Sequence, residues 1–248
     1  MHAVAIIPAR YGSQRLPAKP LADIAGKPMI QHVYEQAARA SLIERVIVAT
    51  DDKRIADAVT RFGGTAVMTP VSLASGTDRV AYAAQALPEA DIIVNVQGDE
   101  PLMPPAMIDE AVRVVTGSDA DAGTLVRRIE HEDELFNPSV VKVVLAHGGR
   151  CLYFSRSAIP FARDATTKEW LHLHTYYKHI GIYVFRRPLL LRFPELGPSP
   201  LERTEKLEQL RILEHGYVIR AAVTLHDSIP VDTPEDLERV RMILRSPS

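Results

Sequence analysis

The chain has 248 residues, of which 46% are hydrophobic and 24% are charged. These values are typical of one globular domain and exclude a disordered or fibrous chain. The 29 Lys and Arg residues nearly balance the 31 Asp and Glu residues, which argues against a nucleic-acid partner bound through bulk positive charge. The single cysteine, Cys151, cannot form an intramolecular disulfide. No apolar run reaches the roughly 18 residues that span a bilayer, so we expect a soluble cytoplasmic protein with no membrane partner.

Short apolar runs and helical patterns alternate along the first half of the chain. In chain order, the predicted elements are a strand at 4–7, a helix at 28–40, a strand at 45–49, helices at 52–62 and 80–87, a strand at 91–96 and a helix at 106–115. Strands separated by helices favour a doubly wound, mostly parallel sheet in a Rossmann-like α/β fold.

The segment from about 125 to 200 breaks this alternation. Residues 140–146 and 151–154 predict a hairpin that turns at two glycines, residues 163–178 predict an irregular mobile loop, and residues 179–185 predict a strand. A helix at 201–215, a strand at 217–223 and a helix at 234–244 complete the prediction. We therefore predict a single domain over 1–248, with a mixed β insertion at about 125–200.

The loop that follows the first strand carries three cations, Arg10, Arg15 and Lys19. Ligands of α/β folds bind at the carboxyl ends of the strands, and guanidinium and ammonium groups suit a polyphosphate. The alternative is a solvated basic loop, although three prolines in it restrict its backbone. The sequence has neither a G-x-G-x-x-G after this strand nor a G-x-x-x-x-G-K-[ST], which counts against an NAD-linked dehydrogenase and a P-loop kinase.

Two further segments offer polar groups. Asp99 follows the strand at 91–96, and Asp232 lies just before a predicted helix start. Because Mg²⁺ prefers one or two carboxylates together with substrate phosphates, the two aspartates together are a candidate metal site, whereas the segment of Asp232 taken alone favours a helix start. Ser75, Gly76 and Thr77 open a helix, where their amides and hydroxyls suit an anion or a base edge, or simply cap the helix.

Seven motifs follow one another along the chain: I-P-A-R-Y-G-S-Q-R-L-P-A-K-P-L, S-G-T-D-R, N-V-Q-G-D-E-P, Y-F-S-R-S-A-I-P, H-I-G-I-Y, P-L-E-R-T-E-K-L-E-Q-L-R-I-L and V-D-T-P-E-D-L-E-R-V. Together they resemble the 3-deoxy-manno-octulosonate (Kdo) cytidylyltransferase family, over essentially the whole chain. The first motif alone would indicate only the wider nucleotidyltransferase superfamily. The H-I-G-I-Y and L-E-Q-L-R segments make the resemblance specific.

The resemblance implies a reaction in which CTP and Kdo form CMP-Kdo and diphosphate, assisted by Mg²⁺. It implies a catalytic set made of Arg10, Arg15, Lys19, Asp99 and Asp232. CTP would contact Arg10, Arg15, Lys19, Ser75, Gly76, Thr77 and Gln97. The metal ligands would be Asp99 and Asp232. The sugar acid would contact Arg79, Arg156, His179, Tyr183, Glu208 and Gln209. Without the resemblance, His179 and Tyr183 are interpreted as core residues, and Glu208 and Gln209 as surface residues.

Other functions compete with this one. A cytidylyltransferase for another sugar acid, such as 8-amino-Kdo or a sialic acid, would share the nucleotide half of the site. A CTP-binding regulator would have lost the chemistry, although all of the predicted cations and carboxylates are retained. A metal-dependent glycosyltransferase could use Asp51 and Asp52, but that pair more naturally begins a helix. The resemblance also implies a homodimer formed through the insertion, and a role in lipopolysaccharide biosynthesis.

Overall fold

The computed structural model describes residues 1–12 and 16–245. Its strands are β1 (Ala3–Ala9), β2 (Asp23–Ile24), β3 (Lys27–Pro28), β4 (Arg45–Thr50), β5 (Ala66–Met68), β6 (Ile92–Asn95), β7 (Ala122–Arg128), β8 (Lys142–Leu145), β9 (Cys151–Ser155), β10 (Tyr177–Arg186) and β11 (Ile219–Val223). Its α-helices are α1 (Met29–Ala38), α2 (Lys53–Arg61), α3 (Gly76–Ala84), α4 (Pro105–Thr116), α5 (Glu132–Phe136), α6 (Trp170–Leu173), α7 (Arg187–Leu196), α8 (Pro200–Glu205), α9 (Gln209–Glu214) and α10 (Pro234–Arg245).

The main sheet has the strand order β11-β7-β10-β6-β1-β4-β5. Within this order β10 runs antiparallel to its neighbours β6 and β7, and the other adjacent pairs are parallel. Successive residues of β1 face opposite sides: Ile7 packs in one core cluster with Ile30 of α1, and Ile6 packs in another with Val80 of α3. Helices therefore cover both faces of the sheet, and the predicted doubly wound, mostly parallel fold is confirmed.

The segment at 125–200 is built into this sheet. β7 begins just before it and β10 lies inside it, and both are strands of the main sheet. Only the predicted hairpin, observed as β8 and β9, branches away from β10. The irregular loop expected at 163–178 contains the short helix α6, whose Trp170 is buried beside Tyr176.

The helix expected at 201–215 is two helices. Lys206 has left-handed backbone angles, φ 56° and ψ 48°, and separates α8 from α9. Tertiary contacts account for the break, because Glu205 accepts hydrogen bonds from the Ser155 hydroxyl and the Arg156 amide, and Glu202 is paired with Arg211. Glu205 therefore ends one helix, and Gln209 begins the next.

The carboxyl ends of β1, β4 and β6 meet at one edge of the sheet. The strand order reverses beside β1, because the chain crosses to β4 on one side and to β6 on the other. Such a switch point leaves a crevice between the loops that follow the strands. Within 1–12 and 16–245, we find no helix with the length and apolar character needed to cross a membrane.

Candidate active site

A cleft of two adjoining lobes lies at this edge of the sheet. The first lobe, of about 400 Å³, is lined by the loops after β1 and β6 and by the start of α3. The second lobe, of about 290 Å³, is lined by β10 and by the turn between α8 and α9. Gly76, Gln97 and Glu208 line both lobes, so a ligand in one lobe can reach a ligand in the other.

The first lobe is cationic. Arg10 and Lys19 line it, and the Arg10 guanidinium donates to the Leu73 carbonyl at 2.6 Å. The loops after β1 and β6 approach closely here, since a Cβ atom at Gly98 would lie 2.8 Å from the Pro8 carbonyl oxygen. Only glycine fits at that position without a shift of backbone. Arg15, the third predicted cation, lies outside the described residues.

Asp99 and Asp232 meet at the end of the cationic lobe. Lys19 Nζ lies 2.7 Å from Asp99 Oδ2 and 3.2 Å from Asp232 Oδ1. The Val231 amide donates to the Asp99 carbonyl at 2.8 Å, which joins the two acidic segments. Two carboxylates that already share one cationic group fit a magnesium site completed by substrate phosphates. We find no cluster of three or more acidic, His or Cys side chains suited to a metal in the part of the chain that the structure describes.

Two carboxyl groups support this pair, and the sequence did not single out either of them. Glu100 is buried and accepts a hydrogen bond from the Ser228 hydroxyl. Burial raises its pKa to about 7. Asp236 accepts from the backbone amides of Asp232 and Thr233 at 3.1 and 2.9 Å. Both contacts restrain the loops that carry Asp99 and Asp232.

The start of α3 lies where the two lobes join. The Ser75 hydroxyl accepts from the Asp78 amide, and the Asp78 carboxylate accepts from the Ser75 amide, each at 3.1 Å. The capping interpretation of this segment is thus confirmed. Ser75, Gly76 and Thr77 also line the cleft. Burial raises the pKa of Glu208, and hydrogen bonds from the Thr77 and Ser75 side chains oppose that shift.

The second lobe is lined by polar and apolar groups, with Lys206 and Glu208 as its charged residues. Burial lowers the pKa of His179 to about 3, so its imidazole is neutral at physiological pH. The Tyr183 hydroxyl is buried and has no hydrogen-bond partner among the described residues, and an orphaned polar group beside a cavity is suited to a polar ligand. Gln209 and Asn95 complete the polar lining. These groups can exchange hydrogen bonds with the hydroxyls of a sugar.

Two arginines expected at the sugar acid do not line the cleft. Arg79 is fully buried and contacts Asp51 at 2.7 Å and the Thr69 hydroxyl. Burial lowers its pKa, which the Asp51 charge opposes. Arg79 therefore stabilises the loops at this edge of the sheet. The direct contact with the sugar acid that the resemblance implied would require Arg79 to leave its ion pair with Asp51. The neighbouring Asp52 caps α2 through the Arg54 amide at 2.9 Å, which agrees with the helix-start interpretation.

Arg156 points towards backbone carbonyl groups. Its guanidinium donates to the carbonyl of Glu205 at 2.8 Å and to that of Pro138 at 3.0 Å. These contacts leave it outside the lining of either lobe. Its contact with the sugar acid stays a prediction. The other described residues of the predicted site, including Arg10, Lys19, Gln97, Asp99, His179, Tyr183, Glu208 and Gln209, line the cleft, and Asp232 joins them through Lys19.

Comparison with known proteins decides the family. A family model described as "Cytidylyltransferase" matches residues 4–224. The chain is 52% identical to a 3-deoxy-manno-octulosonate cytidylyltransferase of Geobacter metallireducens, over 97% of this chain and 96% of the relative. The chain belongs to the 3-deoxy-manno-octulosonate cytidylyltransferase family. A relative of the same name from Geobacter sulfurreducens is 53% identical, over 97% of this chain and 98% of its own length.

Solved structures agree with this membership. A CMP:2-keto-3-deoxy-manno-octonic acid synthetase, complexed with CTP, superimposes with a TM-score of 0.92 at 44% identity, covering 98% of both chains. A cytidylyltransferase from Leptospira borgpetersenii is 18% identical, with a TM-score of 0.66 over 100% of this chain and 89% of its own. The second similarity supports the fold alone. The recognition of the family from the sequence motifs is confirmed.

Proposed function

We propose that this enzyme activates Kdo by transfer of a cytidylyl group: CTP and Kdo form CMP-Kdo and diphosphate. The observation that carries the proposal is a single cleft whose cationic lobe ends at two carboxylates and whose second lobe offers several hydrogen-bonding side chains, among them those of His179, Tyr183 and Gln209. The cationic lobe suits the triphosphate of CTP, and the hydrogen-bonding groups of the second lobe suit the hydroxyls of a sugar acid. Membership of the Kdo cytidylyltransferase family supports the identity of both substrates.

In the proposed reaction the anomeric hydroxyl of Kdo attacks the α-phosphorus of CTP in line, and diphosphate leaves. Transfer of this kind depends on positioning and on neutralisation of charge. Arg10 and Lys19 stabilise the charge that grows on the diphosphate, together with Arg15. The lobes adjoin at Gly76, Gln97 and Glu208, so an acceptor hydroxyl in the second lobe would lie next to the α-phosphate of CTP in the first.

Asp99 and Asp232 would hold Mg²⁺, which supplies neutralisation of the phosphate charge when it is bound. Their shared contact with the Lys19 ammonium group supports this assignment, because it shows two carboxylates directed at one cationic centre. Lys19 is then available to the phosphates. The same carboxylate oxygens are the hard ligands that Mg²⁺ prefers.

Three wider proposals follow from this activity. We propose that the product is an activated sugar acid for lipopolysaccharide biosynthesis and that the reaction takes place in the cytoplasm, where CTP is available. The chain forms a homodimer through an apolar surface in the segment 125–200. Phe136, Phe161 and Leu173, which are exposed around the buried Trp170, support such a contact.

The function is tested by diphosphate release from CTP and Mg²⁺ with no acceptor, with Kdo, with 8-amino-Kdo and with a sialic acid. We expect release with Kdo and background release with the other acids. If only another acid supported release, the assignment of the nucleotide site would stand and Kdo would not be the acceptor. CTP binding without release on any acid would favour a non-catalytic regulator.

A further inference from the structure

Thr124 lies in the middle of β7, beneath the second lobe, and is fully buried. The pairing of β7 with β10 is irregular here: it passes from Ile180 opposite Leu125 to Tyr183 opposite Thr124, so that two residues of β10 bulge away from β7. The Thr124 hydroxyl fills this irregularity. Bulges of this kind re-aim side chains next to active sites.

Three polar atoms surround the Thr124 hydroxyl oxygen. The carbonyl oxygens of Ile182 and Ile180 lie 2.7 and 3.2 Å away. His179 Nε2 lies 3.0 Å away. A hydroxyl has one hydrogen to donate and can also accept. Since a carbonyl can only accept, the hydroxyl hydrogen belongs to the shorter contact, with Ile182.

The hydrogen between Thr124 and His179 must then come from the imidazole. A neutral imidazole carries one N–H group, and its other nitrogen is an acceptor. Burial keeps His179 neutral, because it lowers the pKa to about 3. Nε2 therefore carries the hydrogen, and Nδ1 presents a lone pair.

The His179 ring is also held in place by its neighbours. Phe154 meets it edge to face, with ring centroids 5.5 Å apart, and Tyr183 lies against it at 5.0 Å. The ring lines the second lobe. Nδ1 makes no hydrogen bond within residues 1–12 and 16–245, so a ligand in this lobe is free to donate to it.

We infer that Thr124 is a positioning residue that fixes the Nε2–H tautomer of His179, so that Nδ1 accepts a hydrogen bond from a hydroxyl of the sugar acid. The inference deepens the proposed function and rests on it. It has a consequence for specificity. An acceptor nitrogen pairs with a hydroxyl donor but not with a carboxylate, so His179 selects for a hydroxyl and the carboxylate of the acid binds elsewhere in the cleft.

The tautomer is measured by ¹⁵N NMR of protein labelled at its histidines, with His179→Gln to assign the signal. We expect the hydrogen on Nε2 in the unaltered protein, without any substrate present. A hydrogen on Nδ1 would overturn the inference. This measurement is independent of turnover: diphosphate release with Kdo alongside an Nδ1–H signal refutes the inference alone, and an Nε2–H signal without such release refutes the proposed function alone.

Kinetics of Thr124→Val and Thr124→Ser complete the test. Valine keeps the shape but removes the hydroxyl, so we expect the KM for Kdo to rise roughly tenfold, as for loss of one hydrogen bond, with the KM for CTP unchanged. Serine keeps the hydroxyl and should restore the KM for Kdo. A Kdo KM that is unchanged in a folded Thr124→Val variant, or raised equally for both substrates, contradicts the positioning role. If the valine variant does not fold, the ¹⁵N signal of Thr124→Ser decides, with Nε2–H expected.

Discussion

Asp99 and Asp232 contact the same ammonium group, that of Lys19, at 2.7 and 3.2 Å. Asp99 follows the central strand β6, whereas Asp232 precedes the last helix, so only the folded chain brings the two carboxylates together. Lys19 neutralises their repulsion. The arrangement predicts a competition between this ammonium group and a divalent cation for the same oxygens.

Replacement of Lys19 by methionine tests that competition. Without the ammonium group the two carboxylates repel each other, so Mg²⁺ in the absence of CTP should raise the Tm of Lys19→Met more than it raises that of the unaltered protein. Diphosphate release should fall by roughly 10²-fold, because a group that stabilises developing charge is lost. Equal shifts of Tm on addition of Mg²⁺ would show that the ammonium group and the metal do not share a site.

Asp236 is expected to orient Asp232 through the backbone. Asp236→Ala removes the acceptor of the Asp232 and Thr233 amides and should cost about 1 kcal/mol of stability, as for loss of a helix cap. It should also raise the Mg²⁺ concentration needed for half-maximal diphosphate release.

Asp109 provides the control for Asp236, because it likewise accepts from two successive amides, those of Ser41 and Leu42, but does not line the cleft. Asp109→Ala should lower stability with the Mg²⁺ requirement unchanged. If both variants shift the requirement equally, Asp236 acts on stability only.

Stability at acid pH should depend on His179. Its pKa is lowered to about 3 in the folded protein from 6.5, so between these values the unfolded chain binds a proton that the folded chain does not. The free energy of unfolding therefore falls as the pH drops through this window, by about 1.4 kcal/mol per pH unit from this group.

The contribution of His179 is isolated by urea unfolding of the unaltered protein and of His179→Gln. The measurements run from about pH 6 to about pH 4, a range that lies between the two pKa values of His179. Glutamine does not titrate, so the stability of the unaltered protein relative to the variant should decline steadily as the pH falls. Glu208, whose pKa is raised in the same cleft, contributes to both proteins and largely cancels in the difference. Parallel pH profiles would place the titration of His179 near its ordinary value.

The proposed dimer is tested by light scattering of a double variant, Phe161→Glu with Leu173→Glu. These side chains are 75% and 65% exposed in the isolated chain, and charges there should yield a monomer if they form the contact. Met68→Lys is the control, because Met68 is also exposed but lies on β5 at the far edge of the sheet. A dimer that survives in the double variant would exclude this surface.

Much of the fold follows from the sequence. β1, β4 and β6 are short apolar runs in the central sheet, and α1, α2 and α10 carry recognisable starts or ends. β7 was not predicted, because Gly123 and two arginines weaken its pattern. The structure explains that glycine, since a Cβ atom there would lie 2.7 Å from a Val115 methyl group. The break at Lys206 has no glycine to signal it and depends on tertiary contacts of the neighbouring glutamates.

The residues of the candidate site likewise fall into those that the sequence predicts and those that it does not. Residues placed directly at strand ends or helix starts, such as Lys19, Asp99 and Ser75, could be predicted from motifs. Thr124 and Asp236 could not be predicted, because nothing in the sequence connects either residue with the group that it contacts. Thr124 contacts His179 on the neighbouring strand, and Asp236 contacts a backbone amide just before its own helix. Such supporting contacts become visible only once distances are known.

The most direct test of the account is diphosphate release, measured together with CTP binding, for Asp99→Asn and Asp232→Asn. Each change keeps the size of the side chain and removes one negative charge. We predict that each variant keeps its fold and loses at least roughly 10²-fold in release with Kdo and Mg²⁺. The surface control Asp57→Asn, which removes an exposed partner of Lys53, should remain fully active. Unaltered release in either cleft variant would remove that carboxylate from the site and contradict the account.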